Sequence, residues 1–485
     1  MLLYFSFLIL IIGLFILKFL PKHLNEYLTQ IALVISSVLL VLSIYMIKTY
    51  DSNYSYFQHI FDIDLYSYSF FNIKLLFGLD SLAVLFIFLT NFLVFLCVIF
   101  LYSYNVNKKN FLINLLALQL CLFFIFSSLD IFVFYVFFEV LVIPMYFIIG
   151  FWGSRERKIR AGYLLLYYTV ASSVLLLVSL FYIYNLVGTF NFEYLLNYNF
   201  TFEDQLLLWV AFFLSFAAKA PIFPFHIWLP EAHVEAPTVG SVILAGILLK
   251  LGIYGFIRYN LTLFPDASLF YSPIVFLICI LGIIYASCNA IRQTDLKRII
   301  AYSSIAHMNL VVIGIFSFNL IGLDGAILQS ISHGFVSGAL FFCIGILYDR
   351  YHSRILHYYS GLIHYMPLFG FFFLAFTMAN IALPGTSSFV GEFLLLLGIF
   401  KNNTTAAFFG TLGCILSSIY ALWLYNRVVF GNIKSQYLIN FLDLNKIEFF
   451  ILSVLFILVI LFGIIPSNIL KFINISLISN FIYIL

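Results

Sequence analysis

Fourteen runs of about twenty mostly apolar residues fill this chain, with little polar sequence between them. They lie at 2–19, 31–48, 82–102, 111–129, 131–151, 163–186, 206–224, 237–258, 273–291, 298–317, 322–347, 368–399, 406–430 and 448–470. In hydrocarbon every backbone N–H and C=O must be satisfied within the protein, and runs of this length do so as helices. The fold class is therefore all-α, a polytopic membrane protein. Only 9% of the residues are charged, against about 25% in a soluble domain, so no soluble core accounts for the composition. The polar, Tyr-rich segment 49–80 is the longest loop and has room for a short hairpin.

The same reading excludes several functions. No GxGxxG opens a soluble βα unit and no Walker A sequence occurs, so nothing here binds NADH, flavin or ATP. A net charge of +3 gives no reason to expect a nucleic-acid partner. The six cysteines include no CxxC pair, so no metal or iron–sulfur site is expected. The N-terminal run has no basic n-region or cleavage site and reads as a first spanning helix.

Basic residues fix the orientation. Loops after odd-numbered runs hold Lys18, Lys22, Lys108, Lys109, Arg155, Arg157, Lys158, Arg160, Arg292, Lys297, Arg298, Arg350, Arg354, Arg427, Lys434 and Lys446. The opposite side holds Lys48, Lys74, Arg258, Lys401 and Lys471. Both termini are thus expected on the outer side.

Two runs look broken. The seventh continues into "KAPIFPFHIWLPEAH", with Pro221, Pro224 and Pro230, and the twelfth carries Pro384–Gly385 in its middle. Proline removes a helix hydrogen bond, and such breaks persist in a membrane where the backbone lines protein or a water cavity. Each broken run is the fourth of five, in the sets 4–8 and 9–13. This is the pattern of inverted repeats with a site between them.

Charges inside these runs cost about 2.5–3.5 kcal/mol each and mark ion or proton pathways by default. Among them are Glu139, Lys219, Lys250 and Glu392. Lys250 has Gly246 one turn before it and Gly252 and Gly255 just after, room for a close helix neighbour or water. Gln329, His333 and Ser337 recur every four residues on the eleventh run, and Ser303 and His307 make a shorter stripe on the tenth. Burial raises the pKa of a carboxyl and lowers that of a lysine, while histidine titrates near neutrality, so this set suits a proton relay. Water is expected between Lys250 and His333. Blander roles compete: a structural Glu139–Lys219 pair, packing histidines, Glu392 bonded to the broken backbone, and Asp130 as a helix cap. His226 and His233 read as loop residues on the inner side, and "GSRERKIR" as an inner-face anchor.

The segments "FFEVLVIPMYFIIGFWG", "KAPIFPFHIWLPEAHVEAPTVGSVILAGILLKLGIYGFIR", "DLKRIIAYSSIAHMNLV", "SISHGFVSGALFFCIGILYDR" and "ALPGTSSFVGEF" resemble the antiporter-like membrane subunits of NADH:ubiquinone oxidoreductase (respiratory complex I), in their chain 4 branch. The resemblance covers residues 78–430. It implies fourteen helices, with helices 1–3 at 1–105, two inverted five-helix repeats at 106–260 and 261–430, and a last helix and tail at 431–485. It implies a relay of Glu139, Lys219, Lys250, His307, His333 and Glu392, supported by Ser303, Gln329 and Ser337, around the breaks at Pro221, Pro224, Pro384 and Gly385. It makes the chain part of a proton-pumping translocase with no cofactor of its own. NADH, FMN, iron–sulfur clusters and ubiquinone would belong to partner subunits. Neighbours would include chains 2 and 5 and lipids such as cardiolipin.

Chain 2, chain 5 and the cation/proton antiporter subunits carry Lys at the helix-twelve position, so Glu392 favours chain 4. A subunit of a cation/proton antiporter complex is the alternative, and a non-pumping scaffold a further one. One departure is Asp80 followed by Ser81, where the family has Asp-Gly; little is expected to ride on it. Sixty-one Phe and 33 Tyr, with A/T-rich codons, point to an organelle genome. The expected location is the mitochondrial inner membrane, with both termini in the intermembrane space.

Overall fold

The computed structural model describes residues 2–21, 25–52, 54, 56–63, 75–102, 108–434 and 442–473; Lys22 and Lys74 of the charge argument lie outside them. Among the described residues, twelve helices are long and apolar enough to cross a membrane. In chain order, α1 (Leu2–Phe19), α2 (Asn25–Thr49), α3 (Ser81–Tyr102) and α4 (Lys108–Ser127) come first. They are followed by α5 (Ile131–Trp152), α6 (Lys158–Val187), α7 (Phe202–Lys219) and α8 (Thr238–Leu263). The second half holds α9 (Pro265–Arg292), α10 (Leu296–Ile315), α11 (Leu320–Tyr351), α12, α13 (Thr404–Val429) and α14 (Lys446–Ile464). The two spans that fail a simple length-and-charge test are those the prolines mark. α7 ends at Lys219 and is followed by a turn and a short helix, Trp228–Glu235. α12 is two pieces, Pro367–Asn380 and Ser387–Asn402. With these two, each of the fourteen expected spans has its helix.

The breaks are stable because their freed polar groups find partners. After α7, the Ile222 N–H reaches the Ala217 carbonyl, the Trp228 indole N–H reaches the Ala218 carbonyl at 2.8 Å, and Asn309 reaches the Pro221 carbonyl. At α12, Leu383 N–H bonds the Met378 carbonyl and the Ser388 hydroxyl bonds that of Ala379. Gly385 turns the chain at φ +95°, a left-handed conformation natural to glycine. α5 also has a discontinuity at Leu141, three residues before Pro144, which has no N–H for the Val140 carbonyl.

Burial sorts the helices. The apolar windows of α8 and α11 are 100% buried and those of α10 and α3 are 89% and 83% buried, while α1, α2 and α6 reach 33%. The peripheral helices present Phe, Tyr, Leu and Val outward, as helices facing lipid do. The central ones carry Lys250, His307 and His333. Small residues let α8 approach α7: a Cβ on Gly252 would lie 2.6 Å from the Ala220 amide and the Phe216 carbonyl. In segment 49–80, β1 (Gln58–Ile63) pairs antiparallel with β2 (Leu75–Leu79), the short hairpin for which the sequence left room. It closes over the C-terminal end of α4 and the start of α5, where Leu129 N–H bonds Leu76 and Phe192 N–H bonds Leu129.

Candidate proton-transfer site

Lys250 sits in the short α-helical stretch Leu249–Gly255 of α8, between two π-helical turns, Leu244–Leu248 and Phe256–Asn260. Wide turns of this kind leave carbonyls free of the ordinary ladder and recur at functional sites. Here the Ala245 carbonyl accepts from Lys250 Nζ at 2.5 Å. The lysine is fully buried, and its Nζ lies 2.8 Å from His333 Nδ1 on α11. The contact is direct. The water expected between the two has no room at that separation, because α8 and α11 approach until Gly246 and Gly334 are nearly in contact.

From His333 the polar line continues. Its ring centroid is 5.9 Å from that of His307 on α10. His307 Nδ1 is 2.9 Å from Glu392 Oε1, on α12 after its break. Gln329 Nε2 donates to the same oxygen at 3.1 Å, and the Cys414 thiol of α13 faces Glu392 Oε2 at 3.7 Å. A cavity of about 10 Å³, the size of one water, lies between His307, Glu392, Cys414 and Ser417. The Nε2 atoms of both His307 and His333 are buried with no protein partner. Ser337 donates to the His333 carbonyl, holding the stripe in register, whereas Ser303 bonds the Ile300 carbonyl of its own helix. Gln329, His333 and Ser337 all face inward, towards α8 and α12.

The other end is arranged differently from the sequence expectation. Lys219 makes no ion pair with Glu139 within 4 Å. Its Nζ donates to the Phe138 carbonyl at 2.5 Å and lies 3.0 Å from the centroid of the Phe138 ring. Glu139 is still within Coulombic reach, and its Oε1 is buried without a partner. At the end of α7 it is thus backbone and ring, rather than carboxylate, that meet the ammonium. Pro221 and Pro224 sit in the turn that ends α7 at this lysine, and Pro384 and Gly385 precede the helix that carries Glu392.

Several side chains were misplaced by sequence reasoning. His226 lies in the turn after α7, as expected, and is buried there; His233 is in the short helix that follows and stacks on Phe341 at 4.6 Å. Lys297, counted as a loop residue, is in the first turn of α10 with its Nζ on the Ala236 carbonyl at 2.6 Å, and Arg354, which does lie in the loop after α11, is fully buried. The run Arg155–Arg160 is largely exposed. Asp130 caps α5, accepting from the Phe132 and Val133 amides at 2.8 and 3.1 Å. Asp80 and Arg258 form a buried ion pair at 2.6 Å. The apolar run was read as ending at Arg258, whereas α8 continues to Leu263 and takes the arginine inside.

Residues 128–419 match the family described as NADH:quinone oxidoreductase/Mrp antiporter, transmembrane. NADH-ubiquinone oxidoreductase chain 4 of Chondrus crispus is 48% identical over 96% of this chain and 94% of its own length. The chain 4 protein of Marchantia polymorpha is 46% identical over 97% and 95%. A chain of the respiratory complex I from Thermus thermophilus superposes with a TM-score of 0.87 at 27% identity, covering 98% of this chain and all of that one.

Proposed function

The chain belongs to the NADH:quinone oxidoreductase/Mrp antiporter family, as a chain 4 subunit of respiratory complex I, and from that premise we propose that its protons travel along Lys250, His333, His307 and Glu392. It is a multi-pass, proton-translocating, antiporter-like membrane subunit of that oxidoreductase, a kind of subunit that bears no redox centre. The observation that carries the route is the side-chain line from α8 to α12 through buried, titratable groups, two close contacts joined across the 5.9 Å between the His333 and His307 rings.

Glu139 and Lys219 act as the switch. Moving Lys219 on its Phe138 seat changes the charge felt by Lys250, because α7 touches α8 at Gly252, two residues beyond that lysine. Driving one charge against 100 mV takes about 2.3 kcal/mol, roughly a fiftyfold change in proton affinity. Residues 106–260 and 261–430 form the two inverted repeats, a reading supported by a break in the fourth helix of each. NADH, FMN, iron–sulfur clusters and ubiquinone lie in partner subunits, with chains 2 and 5 as neighbours and cardiolipin among the lipids. The setting is the mitochondrial inner membrane, with both termini in the intermembrane space.

Reconstituted complex carrying Lys250→Ala tests the route. It should assemble and lose most proton translocation per NADH oxidised; full translocation would remove Lys250 from the path.

A further inference from the structure

Arg258 is a buried cation that the relay does not use. It lies eight residues beyond Lys250 on the second π turn of α8, towards the end away from the exposed basic run at 155–160. At about 1.5 Å per residue the two cations are roughly 12 Å apart along the helix. Only 3% of the residue is exposed. One guanidinium nitrogen bonds Asp80 at 2.6 Å, while Nε and Nη2 have no protein partner. Its faces are covered by Phe57, Phe192 and Tyr254, with ring centroids 4.5, 4.7 and 5.9 Å away. Asp80 is itself fixed, accepting from the Ala83 amide at the start of α3.

What lies beyond Arg258 gives it a task. A polar cleft of about 490 Å³ opens at this end of the protein, lined by Asn197, Asn199, Gln205, Thr262 and Asp266 among others. Thr262 donates to the Arg258 carbonyl at 2.6 Å, so the cleft comes within one helical turn of the Arg258 backbone. The end of α8 that carries Arg258 is thus flanked by Lys250 on one side and a cleft on the other, both places where protons are at home.

We propose that Arg258, held by Asp80, is the outer electrostatic barrier that keeps protons on Lys250 from leaking to the outer cleft. Arginine keeps its charge at any accessible pH; Asp80 pairs with one nitrogen, and the side bearing the unpartnered Nε and Nη2 is the one that would repel a proton. The aromatic faces exclude the water that would screen it. This role rests on the reading of Lys250 as a proton carrier.

The test is passive proton leak through the whole complex in liposomes, without NADH. Removing the arginine alone would strand a buried carboxylate, so the informative variant is Arg258→Met with Asp80→Asn, which removes both charges and leaves the cap on α3. An imposed pH gradient should collapse several-fold faster than with the unmodified complex. During turnover the gradient should fall while NADH oxidation is kept. An unchanged decay in assembled double variant overturns the barrier, and so does a failure of both single and double variants to assemble, which would assign the pair to folding. Lys250→Ala in the same background should restore slow decay. A leak that survives it would leave the barrier standing and count against Lys250 as the carrier.

Discussion

Lys250 Nζ and His333 Nδ1 are 2.8 Å apart, the lysine on α8 and the histidine on α11. When the lysine is charged, Nδ1 must be the acceptor, which places the ring proton on Nε2, the nitrogen with no protein partner. When the proton passes to Nδ1, the ring becomes a cation that can release from Nε2. The pair therefore hands a proton across two helices by changing which ring nitrogen carries it, and a group that never gives up its proton cannot take the lysine's place.

Lys250→Arg is the sharpest substitution for that reason. It keeps charge and donors but does not deprotonate at working pH. Assembled complex with Arg at this position should translocate about as little as the alanine variant, measured as gradient formed per NADH oxidised. Normal translocation would make Lys250 a fixed charge.

Glu139 and Lys219 should be coupled without touching. Glu139→Gln and Lys219→Ala should each reduce translocation in assembled complex, and the double variant should be no worse than the worse single one, since residues in one network are non-additive. Phe138→Leu removes the ring beside Lys219, a contact worth about 0.5–2 kcal/mol. It should alter turnover by a several-fold factor without affecting assembly. Strictly additive losses in the double variant would separate the two charges.

Gly252 should be intolerant of any side chain. Its Cβ would meet backbone of Phe216 and Ala220, which cannot step aside as a side-chain tip can. Overpacking of this sort costs about 1–3 kcal/mol. Gly252→Ala should lower the amount of assembled complex on a native gel. Gly150→Ala, with nothing within 4 Å, is the matched control and should assemble normally.

The sequence was most legible where one physical rule acts alone. Backbone satisfaction in lipid makes fourteen helices from fourteen runs, and proline locates both breaks. The inward stripe of Gln329, His333 and Ser337 follows from helical periodicity. Partners across helices were not legible in the same way. Lys219 bonds the carbonyl of Phe138, three residues before a discontinuity at Leu141, rather than Glu139, and periodicity is blind to such backbone partners. Arg258, Lys297 and Arg354 were placed in loops because a charge near the end of a run reads as its boundary. Each is in fact buried against carbonyls or an acid from another part of the chain.

The remaining gap in the line is between His333 and His307. Their rings are 5.9 Å apart and both Nε2 atoms are buried without a protein partner. A buried unsatisfied nitrogen costs about 1–3 kcal/mol, so each calls for a water, and rings this close suit one water shared between them. An experimental map of good resolution should show ordered density within hydrogen-bond distance of both. His307→Phe should keep the complex assembled but cut translocation sharply, because it removes both the receiving nitrogen and the contact to Glu392 Oε1. His307→Gln keeps hydrogen-bonding groups at both places without a titratable proton, and should fail almost as fully. Should the glutamine variant pump normally, the histidine is only a scaffold for water, and protons reach Glu392 by another path. A dry apolar wall between the two rings would disconnect Lys250 from Glu392 altogether.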